Sequence, residues 1–252
     1  MAPAADFRET ALAGGLAAAC WAVQVREDVV DWLVLPDGAV DVVLVRGGEP
    51  LVAGPATRPS VLAQPAGART VGVRLRPGAV VAVLGVRADE LRDLALPVRE
   101  LPAPWRDGAL RAQEALDRGD ADRAAALLVR AVGGAARATA PDLLTARAAA
   151  LLAAEPGLEA EGVARRLAVS PRHLRRRFAE QVGYGPKRYA RIMRLQRLLA
   201  LRARHPGAPA GRLAADAGYA DHPHLARDCR ELAGRSPSAL LAQRAGVHLG
   251  GL

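Results

Sequence analysis

The sequence predicts an α+β protein of two domains, an antiparallel β domain with accompanying helices followed by an all-α domain. Three observations carry this expectation. Short apolar runs broken by Pro/Gly turns fill residues 29–76, helical spacing takes over from about residue 107, and a duplicated unit lies in the last hundred residues. With 252 residues, 51% of them hydrophobic, the chain can bury two cores without cross-links.

In the β region the run Val29 to Leu35 ends at Pro36-Asp37-Gly38, where proline presets φ and glycine permits a positive one. Further strands are expected at Ala39–Val45, Leu51–Ala53, Ser60–Ala63 and Thr70–Arg76, the last alternating Val71, Val73 and Leu75 with arginines. Val80–Leu84 and Ala88–Leu94 fit short helices packed on the sheet. Alanine-rich helices are expected at Ala109–Asp117, Ala121–Val132 and Pro141–Ala154, with Gly133-Gly134 as punctuation. This connector suits either a spacer or a dimerisation surface. The expected bounds are 1–104 for the β domain, 105–155 for the connector and 156–246 for the helical domain.

Charge separates the parts further. The chain carries +9 overall, but residues 1–155 hold 17 basic and 19 acidic side chains while residues 156–252 hold 18 and 7. The basic excess therefore lies wholly in the helical part, as expected of a surface that meets a polyanion. Two cysteines, Cys20 and Cys229, make neither a disulfide framework nor a zinc site, and they fit a reducing, cytoplasmic setting. The apolar stretch Leu12–Val25 is broken by glycines and preceded by acids, unlike a signal peptide, and no segment is long enough to span a bilayer.

The duplicated unit has a fixed period. Leu174, Phe178, Gly183 and Pro186 recur 51 residues later as Leu225, Cys229, Gly234 and Pro237, and Arg176 recurs as Arg227. In the first unit Val163–Ala168 supplies a short helix, Val169-Ser170 turns the chain, and Ser170 caps a second helix with Pro171 at its first position. Leu174 and Phe178 point inward, which leaves Arg172, His173, Arg175 and Arg176 on outer faces. A short helix, a tight turn and a second helix armed with guanidinium groups is what reading a DNA major groove requires. The second unit repeats the layout: Leu213–Asp216 is its first helix, Ala217 to Ala220 its turn and Asp221 its cap. His222, Pro223, His224 and Arg227 project while Leu225 and Cys229 pack inward. Between the units, Lys187–Arg204 reads as a helix about 27 Å long, a separation suited to successive major grooves about 34 Å apart. Ser170, Arg188 and Arg191 are the expected phosphate contacts, with Arg194 on the same side.

Residues 157–244 resemble the DNA-binding domain of AraC/XylS-type transcription regulators. The resemblance rests on Ser170 to Phe178 with Gly183, and on Ala217-Gly218-Tyr219-Ala220-Asp221 followed by Leu225, Arg227, Gly234 and Ser236-Pro237. It implies base contacts from Arg172, Arg175, Arg176, His222, Pro223 and Arg227, of which Pro223 can offer only apolar contact. Cys229 departs from the aromatic residue usual at its position, which thins the core of that unit. For the N-terminal part the resemblance is to a cupin-like sensor domain, carried by Leu35-Pro36-Asp37-Gly38, Asp41 and Arg74-Leu75-Arg76-Pro77-Gly78. It implies a small-molecule effector or a homodimer, and RNA polymerase as a partner if the protein activates.

The expected function is thus a sequence-specific regulator that binds double-stranded DNA, with no cofactor, no metal, no membrane partner and no enzymatic activity. A non-specific architectural DNA binder is the alternative, since it would use the same basic surface. Asp221, His222, His224, Asp228 and Cys229 have metal-ligand chemistry, but residues two apart on a helix face different ways and Cys229 falls on the buried side.

Overall fold

The computed structural model describes residues 4–102, 104–135, 140–242 and 247–248. Strands β1 (Ala5–Ala11) and β2 (Ala17–Val25) form a hairpin whose turn runs through Gly14 and Gly15, both at positive φ. β3 (Val29–Val34), β4 (Asp41–Val45), β5 (Leu51–Ala53), β6 (Ser60–Gln64) and β7 (Arg69–Leu75) follow. After α1 (Val80–Leu84) and a 3-10 turn at Ala88–Leu91 comes β8 (Ala95–Pro97). One antiparallel sheet has six strands in the order β1-β2-β7-β4-β5-β8. A smaller sheet has the order β6-β3-β9, where β9 (Val247–His248) pairs parallel to β3.

The period of two along these strands sorts the large sheet into two faces. Val42, Leu44, Val52, Val71 and Val73 are buried against α1, α2 (Arg106–Asp117) and α3 (Ala121–Gly134). Trp21, Val43 and Leu51 lie on the opposite face, and a cleft of about 540 Å³ separates them from Trp32, Val34 and Leu62 of the smaller sheet. Gly72 makes this arrangement possible, because a Cβ there would sit 2.2 Å from the Trp21 indole.

The strands begin earlier than the sequence suggested. β1 is mostly exposed and polar, so it lacks the apolar alternation that marks a strand, and β2 is built largely of alanine. β4 starts at Asp41 rather than Ala39, since the Asp37 carboxylate accepts the Ala39 N–H (3.0 Å) and holds that stretch in a turn. The helix expected over 88–94 shrinks to one 3-10 turn, followed by Asp93 at φ 57°. Gly133-Gly134 does not stop α3, which runs through both.

The helical part contains α4 (Leu143–Ala154), α5 (Ala160–Arg166), α6 (Pro171–Val182), α7 (Pro186–Arg204), α8 (Ala210–Asp216), α9 (His222–Ala233) and α10 (Pro237–Ala242). The expected end at residue 246 lies outside the described residues. The connector helices divide between two cores: α2 and α3 cover the sheet, whereas α4 supplies Ala148, Ala149 and Leu152 to the core of the following helices. Leu33 and Leu35 of the β region reach into that second core.

Specific hydrogen bonds fix this junction. Gln196 Nε2 donates to the Pro36 carbonyl (2.7 Å), and Arg92 Nε donates to that of Gly183 (2.7 Å). Gly183 ends α6 at φ 93°, and a Cβ there would lie 2.2 Å from Pro55 Cγ and 3.1 Å from the Ala88 carbonyl. Gly183→Ala is therefore expected to lower unfolding free energy by about 2–4 kcal/mol, from backbone strain plus overlap. Gly211→Ala in α8, where a Cβ meets nothing within 4 Å, should stabilise by about 0.5–1 kcal/mol. Urea titration of both variants checks the pair, and equal stability would remove Gly183 as a constraint on the junction.

Candidate nucleic-acid interface

Each duplicated unit is a short helix, a turn in left-handed backbone, and a longer capped helix. In the first, α5 ends, Ala168 takes φ 53°, and α6 begins behind the Ser170 hydroxyl, which accepts the His173 N–H at 3.2 Å. In the second, α8 ends, Gly218 takes φ 93°, and α9 begins behind the Asp221 carboxylate, which accepts the His224 N–H at 2.7 Å. Proline occupies the first turn of both long helices, where no N–H partner is lost. Val169 N–H bonds the Ala164 carbonyl, and Tyr219 N–H bonds that of Ala214. These matched turns lie 50 residues apart, whereas the caps lie 51 apart, so Ala220 is an extra residue before the second cap.

The units are held together by α7. Tyr189, Ile192, Met193, Leu195, Leu198 and Leu199 bury its inner faces, and the Tyr189 ring meets Phe178 of α6 edge-on at 5.3 Å. A Cβ at Gly218 would lie 2.4 Å from Pro156 Cβ, so the second turn sits directly on the start of the first unit. On the α9 side, Asp228 is only 1% exposed and faces Arg191 (2.8 Å), Arg194 (3.7 Å) and His224 (3.9 Å). Glu231 adds a second ion pair to Arg191, which holds its carboxyl below the usual range. Arg194 also lies over the Tyr219 ring, 5.8 Å from its centroid.

This network engages three of the expected contact residues. Arg191 is bound to Asp228 and Glu231, and Arg188 donates to the Thr57 carbonyl of the β domain, so each guanidinium already has partners within the chain. His224 is half-buried with its ring edge-on to Tyr219 at 5.2 Å. Its Nε2 lies 3.2 Å from Arg194 Nη2 and must accept, because a guanidinium has only donors. For the two arginines the physical reason is the same: a carboxylate or carbonyl distant in sequence arrives beside each.

The remaining candidates stand on the surface. Arg172, His173, Arg175 and Arg176 are exposed on α6, with Arg176 3.2 Å from Glu180 one turn on and Arg175 Nε bonded to the Pro171 carbonyl. His222, Pro223 and Arg227 are exposed on α9, and Ser170 and Asp221 sit at the two helix starts. Between the units opens a cleft of about 590 Å³ to which Arg175, Lys187, Arg191, Arg194, His224 and Arg227 contribute, with Glu159 and Glu161 also lining it. Sequence reasoning gave Lys187 no role and weighed Asp228 only as a metal ligand. The signal for its ion-pair role was an acid placed one helical turn after His224.

Cys229 is fully buried, and burial pushes its thiol up to about 11, so it packs as a neutral side chain. No group of three or more His, Cys, Asp or Glu side chains fit to hold a metal ion occurs among the described residues. No helix among them is long and apolar enough to cross a membrane.

Paired helix-turn-helix units on one connecting helix, with exposed arginines and a basic cleft, define a DNA-binding class of protein. Residues 163–243 match the family model of a helix-turn-helix domain, and residues 15–97 match a domain of unknown function, DUF6597. The chain thus carries a helix-turn-helix domain in its C-terminal part, behind that N-terminal domain. A solved structure similar to it is an apo ToxT variant from Vibrio cholerae strain SCE256, with 9% identity, coverage of 94% of this chain and 96% of that one, and a TM-score of 0.44. No curated protein matches the sequence.

The Asp228 network generates a direct prediction. Asp228→Ala leaves Arg194 without its carboxylate and Arg191 with Glu231 alone, and should cost about 2–3 kcal/mol. Asp228→Asn, which keeps an acceptor, should cost less. Thermal and urea unfolding of both would show this ranking; a loss under about 0.5 kcal/mol for the alanine variant would mean that the network does not hold α9 on α7.

Proposed function

We propose that this protein is a sequence-specific transcription regulator whose two helix-turn-helix units read one asymmetric DNA site. The observation that carries the proposal is the unlike chemistry of the two exposed helix faces on a shared scaffold. α6 offers Arg172, His173, Arg175 and Arg176, whereas α9 offers His222, Pro223 and Arg227. Arginine can pair bidentately with guanine, while proline offers only apolar contact, so the two helices suit different base sequences.

Phosphate contacts would set the register, from the capped start of α6 at Ser170 and from Lys187 at the cleft. Residues 156–246 would act as the DNA-binding domain, 1–104 as a sensing domain, and 105–155 as the link between them. Effector response is supported by the cleft in the β domain and by the hydrogen-bonded junction described above. A homodimer and RNA polymerase are further partners consistent with this reading. An architectural protein without sequence preference is the rival, and unlike reading faces weigh against it.

Arg176→Ala discriminates the two. On the duplex the protein prefers, the variant should lose about 10–100-fold in affinity, the equivalent of about 1–3 kcal/mol for one bidentate base contact. On random genomic DNA at the same salt the loss should stay within about threefold. Equal losses on both, measured by fluorescence anisotropy, would reduce Arg176 to a phosphate contact and favour the rival.

A further inference from the structure

The cleft between the two β-sheets is apolar but carries one buried charge cluster at its end. Trp21, Val43 and Leu51 form one wall and Trp32, Val34 and Leu62 the other, with Leu94 near the rim. Leu62 and Leu94 are 43% and 47% exposed, so large apolar side chains are left uncovered where the cleft opens. Of the charged groups that line it, Arg58 and Asp93 are exposed, and Asp93 is already held by the Thr57 N–H and hydroxyl (2.6 Å each). Asp41 is the most sheltered of the three, its side chain 13% exposed. Its carboxylate accepts from the Trp21 indole N–H at 3.3 Å and lies 3.5 Å from Arg74 Nε.

Arg74 cannot neutralise that carboxylate alone. It also pairs with Asp37 (2.7 Å) and Glu9 (3.1 Å), and its own side chain is 7% exposed. One guanidinium thus faces three carboxyl groups, leaving the cluster with a surplus of acid groups at the end of the cleft. Burial pushes the Asp41 carboxyl up and the nearby Asp37 adds to that, while Arg74 and the indole N–H pull it down. A cation entering the cleft would offset the surplus, and two indole faces would add cation–π attraction.

We infer that the cleft is a binding site for a hydrophobic organic cation, an ammonium or related onium group carried on aromatic or aliphatic bulk, with Asp41 as its counter-ion. This rests on the effector-responsive part of the proposed function and gives that effector a chemical class. An anion of equal bulk would meet the Asp41 carboxylate at the end of the cleft and is disfavoured there. The cavity volume suits a ligand of drug-like size.

The test pairs two lipophilic ions of matched shape and opposite charge, tetraphenylphosphonium and tetraphenylborate, titrated into the full chain in a sodium buffer. Calorimetry should give one saturable site for the phosphonium, at least tenfold tighter than for the borate, with a change in tryptophan fluorescence. Asp41→Asn should abolish the preference between the ions. Leu62→Arg, which sets a positive charge at the mouth without touching the charge cluster, should weaken the phosphonium at least tenfold at an unchanged thermal midpoint. Should Asp41→Asn fail to fold, Leu62→Arg and the ion preference decide the matter. Equal binding of the two ions, preference for the borate, or indifference to Leu62→Arg would overturn the inference. A chain that selects DNA but binds neither ion loses this proposal alone; one that binds the cation but shows no DNA preference loses only the regulator reading.

Discussion

The arrangement of this protein depends on one helix. α7 has 19 residues and is about 28 Å long, and its buried side chains belong to the same core as α4, α6, α8 and α9. Its Tyr189 supports Phe178 of the first reading helix, and its Arg191 and Arg194 hold Asp228 of the second. Gln196, 2% exposed, ties it to the β domain through the Pro36 carbonyl. A rigid helix with partners on every side transmits a fixed separation to whatever it carries, because packed cores do not deform continuously.

That position also gives the β domain a route to the DNA-binding face. Asp37 lies in the turn after β3, and the next residue, Gly38, sits so close to Tyr189 that a Cβ would fall 2.7 Å from its ring. Asp37 is at the same time the shortest ion-pair partner of Arg74, whose other partners include Asp41 at the cleft. The chain Asp41, Arg74, Asp37 and Tyr189 is therefore contiguous from the cleft to the helix that sets the spacing of the two units. Its members are joined by charge and contact, the kind of network through which occupancy of one site can bias another.

Much of the helical part was legible in the sequence because its signals are local. Ser170-Pro171, Asp221 and the terminal glycines Gly183 and Gly234 announce caps, and Leu174, Phe178, Leu225 and Cys229 announce the buried stripe. Strands β3 to β7 were visible through their turns. β1 was not, since a polar edge strand carries no apolar alternation, and the alanines of β2 do not distinguish strand from helix. The partners of Arg188 and Arg191 were hidden for a different reason. A sequence displays which face of a helix is polar, but not that Thr57 or Asp228, distant in sequence, will be waiting beside it. The one-residue offset between turns and caps was likewise hidden by the regular period of the reading helices.

The central claim is that α7 fixes two unlike reading helices for one asymmetric site. Selection of bound sequences from a random duplex library at about physiological salt tests it most directly. The account predicts an enriched motif of two different conserved blocks, centred about one helical turn apart, with a spacing that does not vary among the recovered sequences. Retained binding with no enriched sequence, or two blocks at freely varying spacing, would contradict it.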